Sequence, residues 1–198
     1  MGRVLIVGGY GAFGARAAER LAREPGFEIV IAGRSADKAR IHAAALTATA
    51  RANVRHAALD AASATAEAVR SLAPNVVINA SGPFQQQDYA LARACIAAGC
   101  HYIDLADART FVTGIGSLDG AAKAAGVSVI SGASSVPGLS SAAVRHMAED
   151  LRRLDEVHIG ISPGNSFDPG IATAASIIGQ AGKPLGVRQG GRQMTAHG

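Results

Sequence analysis

The chain has 198 residues, 48% of them apolar and 17% charged, enough buried surface to argue against disorder and to build one domain of ordinary size or one domain plus part of another. No apolar run reaches the roughly 18 residues that span a bilayer, and Met1-Gly2-Arg3-Val4 leads into glycines without a small-residue cleavage site, so a cytoplasmic soluble protein without membrane contact is expected. The net charge of +4 is scattered and only 4% of residues are aromatic, which argues against a nucleic-acid partner.

Short β-branched runs alternate with longer alanine-rich ones, the pattern of βαβ units around a parallel sheet. Strands are expected at 4–7, 28–32, 54–59, 76–79, 101–105 and 127–130. Helices are expected between and after them at 12–23, 36–50, 64–72, 88–98, 117–125 and 139–151. Six such units make an α/β fold, a Rossmann-type doubly wound parallel sheet with helices on both faces.

After Leu154 the character changes. A strand is expected at 156–161, a loop from Ser162, a helix at 171–180 and a polar stretch at 190–194 with no closing strand. So short a tail cannot bury a core of its own, so it either docks on the first domain or begins a second. The division expected is residues 1–154 and residues 155–198, the latter the start of an incomplete α+β domain. An exposed edge at 156–161 makes a homodimer an expectation.

Gly8-Gly9-Tyr10-Gly11-Ala12-Phe13-Gly14 follows the first strand and opens the first helix. Read from Gly9 it is G-x-G-x-x-G, and read from Gly8 it is G-x-x-G-x-x-G. A tight turn, a backbone that approaches a pyrophosphate without a Cβ in the way, and free N–H groups at a helix N-terminus suit a dinucleotide. Gly9, Tyr10, Gly11, Ala12, Phe13 and Gly14 are the expected contacts.

The second strand ends in Ala32-Gly33-Arg34-Ser35, with no carboxylate to hold a ribose 2′-hydroxyl. Arg34 can fork onto a 2′-phosphate, Ser35 can donate to it, and Lys38 can add charge. NADP(H) is therefore expected in preference to NAD(H). Asp60, at the end of the third strand, suits the adenine amine or a helix cap equally. Ala80, Ser81, Gly82 and Pro83 follow the fourth strand, where a nicotinamide would lie, and Asn79 before them could simply satisfy loop backbone.

Asp104 and Asp107 could orient a substrate amine or bind a neighbouring Arg, but helix caps and salt bridges are the plainer reading. Cys95 and Cys100, five apart with no second pair, give no reason to expect a metal site. No Tyr-x-x-x-Lys, Gly-x-Ser-x-Gly or Walker A pattern is present. No catalytic residue is assigned.

The glycine segment, Ala32-Gly33-Arg34, Val77-Ile78-Asn79-Ala80-Ser81-Gly82-Pro83-Phe84 and Gly99-Cys100-His101-Tyr102-Ile103-Asp104-Leu105 resemble the saccharopine dehydrogenase/reductase family. The resemblance continues through Ser131-Gly132-Ala133-Ser134-Ser135-Val136-Pro137-Gly138-Leu139-Ser140-Ser141. It implies an NADP(H)-dependent oxidoreductase acting on the CH–NH group of an amino-acid-derived small molecule, inactive as this stretch alone. It also implies Gly9, Gly11 and Gly14 at the pyrophosphate, Arg34 and Ser35 at the 2′-phosphate, and Ser81, Gly82 and Pro83 beside the nicotinamide. Relatives with similar segments include enoyl reductases on lipid intermediates, though Ala106-Asp107-Ala108 stands where those carry Gly-Glu. A non-catalytic NADP(H) sensor is the remaining alternative.

Overall fold

Alternation decides how the central strands pack. Along β1 (Gly2–Val7) and β2 (Phe27–Gly33) successive side chains point to opposite faces. Leu5, Val7, Val30 and Ala32 join one buried cluster, whereas Val4, Ile6, Ile29 and Ile31 join another. Both faces are apolar because both are covered. Replacing a buried isoleucine such as Ile31 with alanine costs about 2–5 kcal/mol.

The structure, a computed structural model, describes residues 2–162, 174, 178–179 and 181–197. β3 (Asn53–Ala58), β4 (Val76–Asn79), β5 (His101–Asp104) and β6 (Val129–Ile130) complete a parallel sheet ordered β3-β2-β1-β4-β5-β6. This is the doubly wound arrangement that the alternating pattern leads one to expect. α1 (Ala12–Leu21) and α2 (Ala36–Thr47) cover one face through Ala18, Ala39, Ala43 and Leu46. On the other face lie α3 (Ala66–Leu72), α4 (Ala90–Ala98) and α6 (Asp119–Ala125), through Val69, Leu91, Cys95 and Ala122.

Local chemistry trims the expected helices. Thr65 caps α3 by accepting the Ala68 N–H, and Asp60 caps a short turn at Ala61–Ser63, so the helix starts later than 64. α4 ends at Gly99 with φ 76°, where the Cys100 N–H reaches the Cys95 carbonyl at 3.1 Å. α5 (Arg109–Gly114) was not expected from the sequence. It is short, and the ring contacts of Phe111 with Phe84 and Tyr89 hold it down. α7 (Ser140–Met147) follows a π-helical turn at Ser135–Leu139 and is shorter than the expected 139–151.

Two expectations for the tail are corrected. Residues 156–161 form no strand: Val157, Ile159 and Ile161 alternate as a strand would, but no sheet edge takes them and they are exposed. The polar stretch at 190–194 does close on a strand. β7 (Pro184–Gln189) pairs antiparallel with β8 (Arg192–His197) across Gly190 and Gly191, whose φ values of 55° and 77° give the two-residue turn that a hairpin needs. The helix expected at 171–180 lies largely outside the described residues.

Candidate dinucleotide site

The site begins where β1 ends. The Gly8 and Gly9 N–H groups both donate to the Ala32 carbonyl, at 2.8 and 3.1 Å, which folds the loop over the end of β2. Gly8 has φ 81°, and a Cβ on it would stand 2.7 Å from the carbonyl carbon and oxygen of Ala80. A Cβ on Gly9 would lie 2.8 Å from the Ile6 carbonyl oxygen. A Cβ on Gly14 would collide with the Gly8 carbonyl oxygen, so α1 packs directly on the loop. Gly11, by contrast, has only the Gly8 oxygen nearby, at 3.2 Å.

These four glycines therefore differ. Gly8, Gly9 and Gly14 are demanded by the protein's own packing, and Gly11 meets only the one oxygen. Gly8 opens one of the two readings of the pattern in the sequence but stands outside the expected contacts, which start at Gly9. The longer G-x-x-G-x-x-G reading carried the signal. Gly11 is the N-cap of α1 and offers no side-chain acceptor, so no side chain of the cap blocks the first-turn N–H groups of Ala12, Phe13 and Gly14.

Tyr10 closes the other side. Its ring lies on Gly33, where a Cβ would come within 2.6 Å of it, and its hydroxyl oxygen accepts the Ser35 N–H at 3.0 Å. Ser35 Oγ accepts the Lys38 N–H at 3.3 Å and so caps α2, leaving its hydroxyl proton for an external acceptor. Arg34 is exposed and lines a cavity of about 310 Å³ with Ala58, Leu59, Asp60 and Ser63. Asp60 Oδ1 accepts the Ala62 N–H at 3.2 Å, the cap that is one of its two expected roles, and the residue also lines that cavity. A larger groove of about 400 Å³, lined in part by Ala22, Arg23, Leu46 and Thr49, lies at the far ends of the first two helices, away from the glycine loop.

The β4 end forms the opposite wall. The Ala80 N–H donates to the Val7 carbonyl at 2.8 Å, bringing the Ala80–Pro83 segment against Gly8. Asn79 is buried, and its Oδ1 accepts both the Ser81 N–H at 3.1 Å and the Ser81 hydroxyl at 2.6 Å. Gln87 Nε2 donates to the Ser81 and Pro83 carbonyls at 2.8 and 3.2 Å.

Asp104 is not a substrate-facing acid. It is fully buried, and Oδ1 accepts the Ala106 N–H, the Gly132 N–H and the Ser131 hydroxyl, tying β5 to the loop after β6. Burial, with the Asp104 carboxylate nearby, pushes the Tyr102 phenol well above its ordinary range. Asp107 is exposed with its Oδ1 3.5 Å from Gln85 Nε2, and Arg109 donates to the Gly186 carbonyl at 3.0 Å.

Backbone meets backbone here only because glycine allows it, at the point where the sheet order reverses. That arrangement defines a dinucleotide-binding domain of the Rossmann class, and the cradle and the adjoining cavity fit such a ligand. Residues 4–130 match the saccharopine dehydrogenase NADP binding domain. The chain belongs to the saccharopine dehydrogenase family, whose NADP-binding domain it carries.

Among solved structures it is similar to the saccharopine dehydrogenase (L-Glu forming) of Saccharomyces cerevisiae, at 16% identity with a TM-score of 0.62. That match covers 76% of this chain and 31% of the yeast chain. It is also similar to a short-chain type dehydrogenase/reductase from Mycobacterium ulcerans, at 19% identity over 66% of each chain with a TM-score of 0.50. At such identities the likeness is one of fold. No curated protein matches the chain. Among the described residues, no helix is long and apolar enough to cross a membrane.

Proposed function

We propose that this chain is the NADP(H)-binding part of an oxidoreductase of saccharopine dehydrogenase type, acting on the C–N bond of an amino-acid-derived substrate. Residues 1–154 are the cofactor domain, and 155–198 begin a second unit. The observation that carries the reading is the pairing of the glycine cradle with Arg34, at a strand end that offers no ribose-binding carboxylate.

Gly11 keeps a Cβ away from the pyrophosphate, and the N–H groups at the start of α1 present partial positive charge to it. Arg34 forks onto the 2′-phosphate, the Ser35 hydroxyl donates to it, and Lys38 adds charge from the first turn of α2. Asp60, in the same cavity, accepts from the adenine amine. Ala80, Ser81, Gly82 and Pro83 wall the nicotinamide half. Bound there, the nicotinamide supplies a hydride donor or acceptor for the carbon of an imine or secondary amine.

The test is calorimetric titration of the purified chain with NADPH and with NADH. Tighter binding of NADPH supports the reading, and binding of neither contradicts it.

A further inference from the structure

We infer that Asn79 and Tyr102 are positioning residues that fix the Ala80–Pro83 wall for the nicotinamide half of the dinucleotide. The inference rests on the dinucleotide reading and adds to it the device that sets one half of the site.

Asn79, the last residue of β4, is 2% exposed, and both ends of its amide are engaged. Oδ1 takes the N–H and the hydroxyl of Ser81, at 3.1 and 2.6 Å, and Nδ2 donates to Tyr102 Oη at 3.1 Å. Only an amide does both. An aspartate could not donate to the phenol, and a leucine could not accept from Ser81. Tyr102, 1% exposed on β5, thus fixes which way the amide faces. Its phenol stays protonated because burial and the Asp104 carboxylate oppose ionisation, so its oxygen remains a neutral acceptor.

The wall has little freedom left. Asn79 holds the Ser81 N–H and hydroxyl, while Gln87 holds its carbonyl. Ser81 therefore shapes the wall, with its N–H and hydroxyl proton already donated inside the protein. The wall also touches the cradle, because the Gly8 Cβ position is 2.8 Å from the Ser81 nitrogen. Movement of Ser81 would change the space between wall and glycine loop, on the nicotinamide side. The Arg34 cavity, lined by Arg34 just past β2, the end of β3 and the turn after β3, includes none of these groups.

The experiment compares two ligands that share the adenosine end, NADPH and adenosine 2′,5′-bisphosphate, on the wild-type chain, Tyr102→Phe and Ser81→Ala. Each variant is titrated calorimetrically, and the fluorescence of bound NADPH reports the nicotinamide environment. The expected result is an unchanged affinity for the bisphosphate, a loss of about threefold to tenfold for NADPH, and a weaker fluorescence change on binding. Equal losses for both ligands, or no loss for either, overturn the inference while leaving the dinucleotide reading intact. Binding of neither ligand by the wild-type chain overturns both. Should Tyr102→Phe fail to fold, Ser81→Ala carries the same expectations, since it removes only the hydroxyl that Asn79 holds.

Discussion

The hydroxyl oxygen of Tyr10 accepts the backbone N–H of Ser35 at 3.0 Å, so the glycine loop after β1 is tied to the N-cap of α2 after β2. The bond depends on a third residue, because the Tyr10 ring occupies the space that a Cβ on Gly33 would fill. One side chain thereby joins the two corners proposed for the pyrophosphate and the 2′-phosphate.

Tyr10→Phe removes that bond and leaves the ring. The expected outcome is a fall of roughly threefold to tenfold in NADPH affinity with little change in melting temperature. Gly33→Ala should do the same by pushing the ring aside. Calorimetry and thermal melts on the two variants check this, and an unchanged affinity in both would contradict it.

Gly14→Ala and Gly11→Ala should separate stability from binding. A methyl on Gly14 collides with the Gly8 carbonyl oxygen inside the fold, and such overpacking costs about 1–3 kcal/mol. Gly14→Ala should therefore lower the melting temperature by several degrees, at about 2–4 °C per kcal/mol. Gly11→Ala meets one backbone oxygen, at 3.2 Å, so it should cost less stability than Gly14→Ala yet bind NADPH poorly.

The fold was legible where periodicity had a covered face to describe. β1 and β2 alternate between two apolar clusters, and all six strands expected up to residue 130 lie in the one parallel sheet. At 156–161 the same alternation misled, because Val157, Ile159 and Ile161 have the period of a strand but no partner edge. The hairpin at 184–197 was missed although Gly190-Gly191 marks its turn between alternating residues. In the site, the glycine spacing was readable, being local. The Tyr10–Ser35, Asn79–Tyr102 and Asp104–Gly132 bonds were not, since each joins residues 23 to 28 apart that only the parallel register brings together.

Asp104→Ala tests whether that acid is structural. It would strand two buried N–H groups and a hydroxyl, each costing about 1–3 kcal/mol. The melting temperature should fall by at least about 6 °C. A variant that melts as wild type would refute the structural role.

Glu28 bridges the first three strands, taking Arg3 on one oxygen and Arg55 on the other at 3.1 Å each. The Arg3 hydrogen bond, aided by Arg55, holds its carboxyl below the ordinary value of 4.5 despite partial burial. A depressed folded-state value means the stabilisation is present above the unfolded value and lost as pH falls through the folded one. Denaturant melts of Glu28→Gln should therefore lose less stability than wild type between about pH 5 and pH 3.

The central claim is that this site prefers a 2′-phosphate, and Arg34→Asp tests it most directly. Calorimetric titrations of wild type and variant with NADPH and NADH should show NADPH favoured in the wild type. In the variant that preference should disappear, with NADPH affinity down roughly tenfold to a hundredfold and NADH held or improved. Equal affinities in the wild type, or a preference that survives the substitution, would contradict the account.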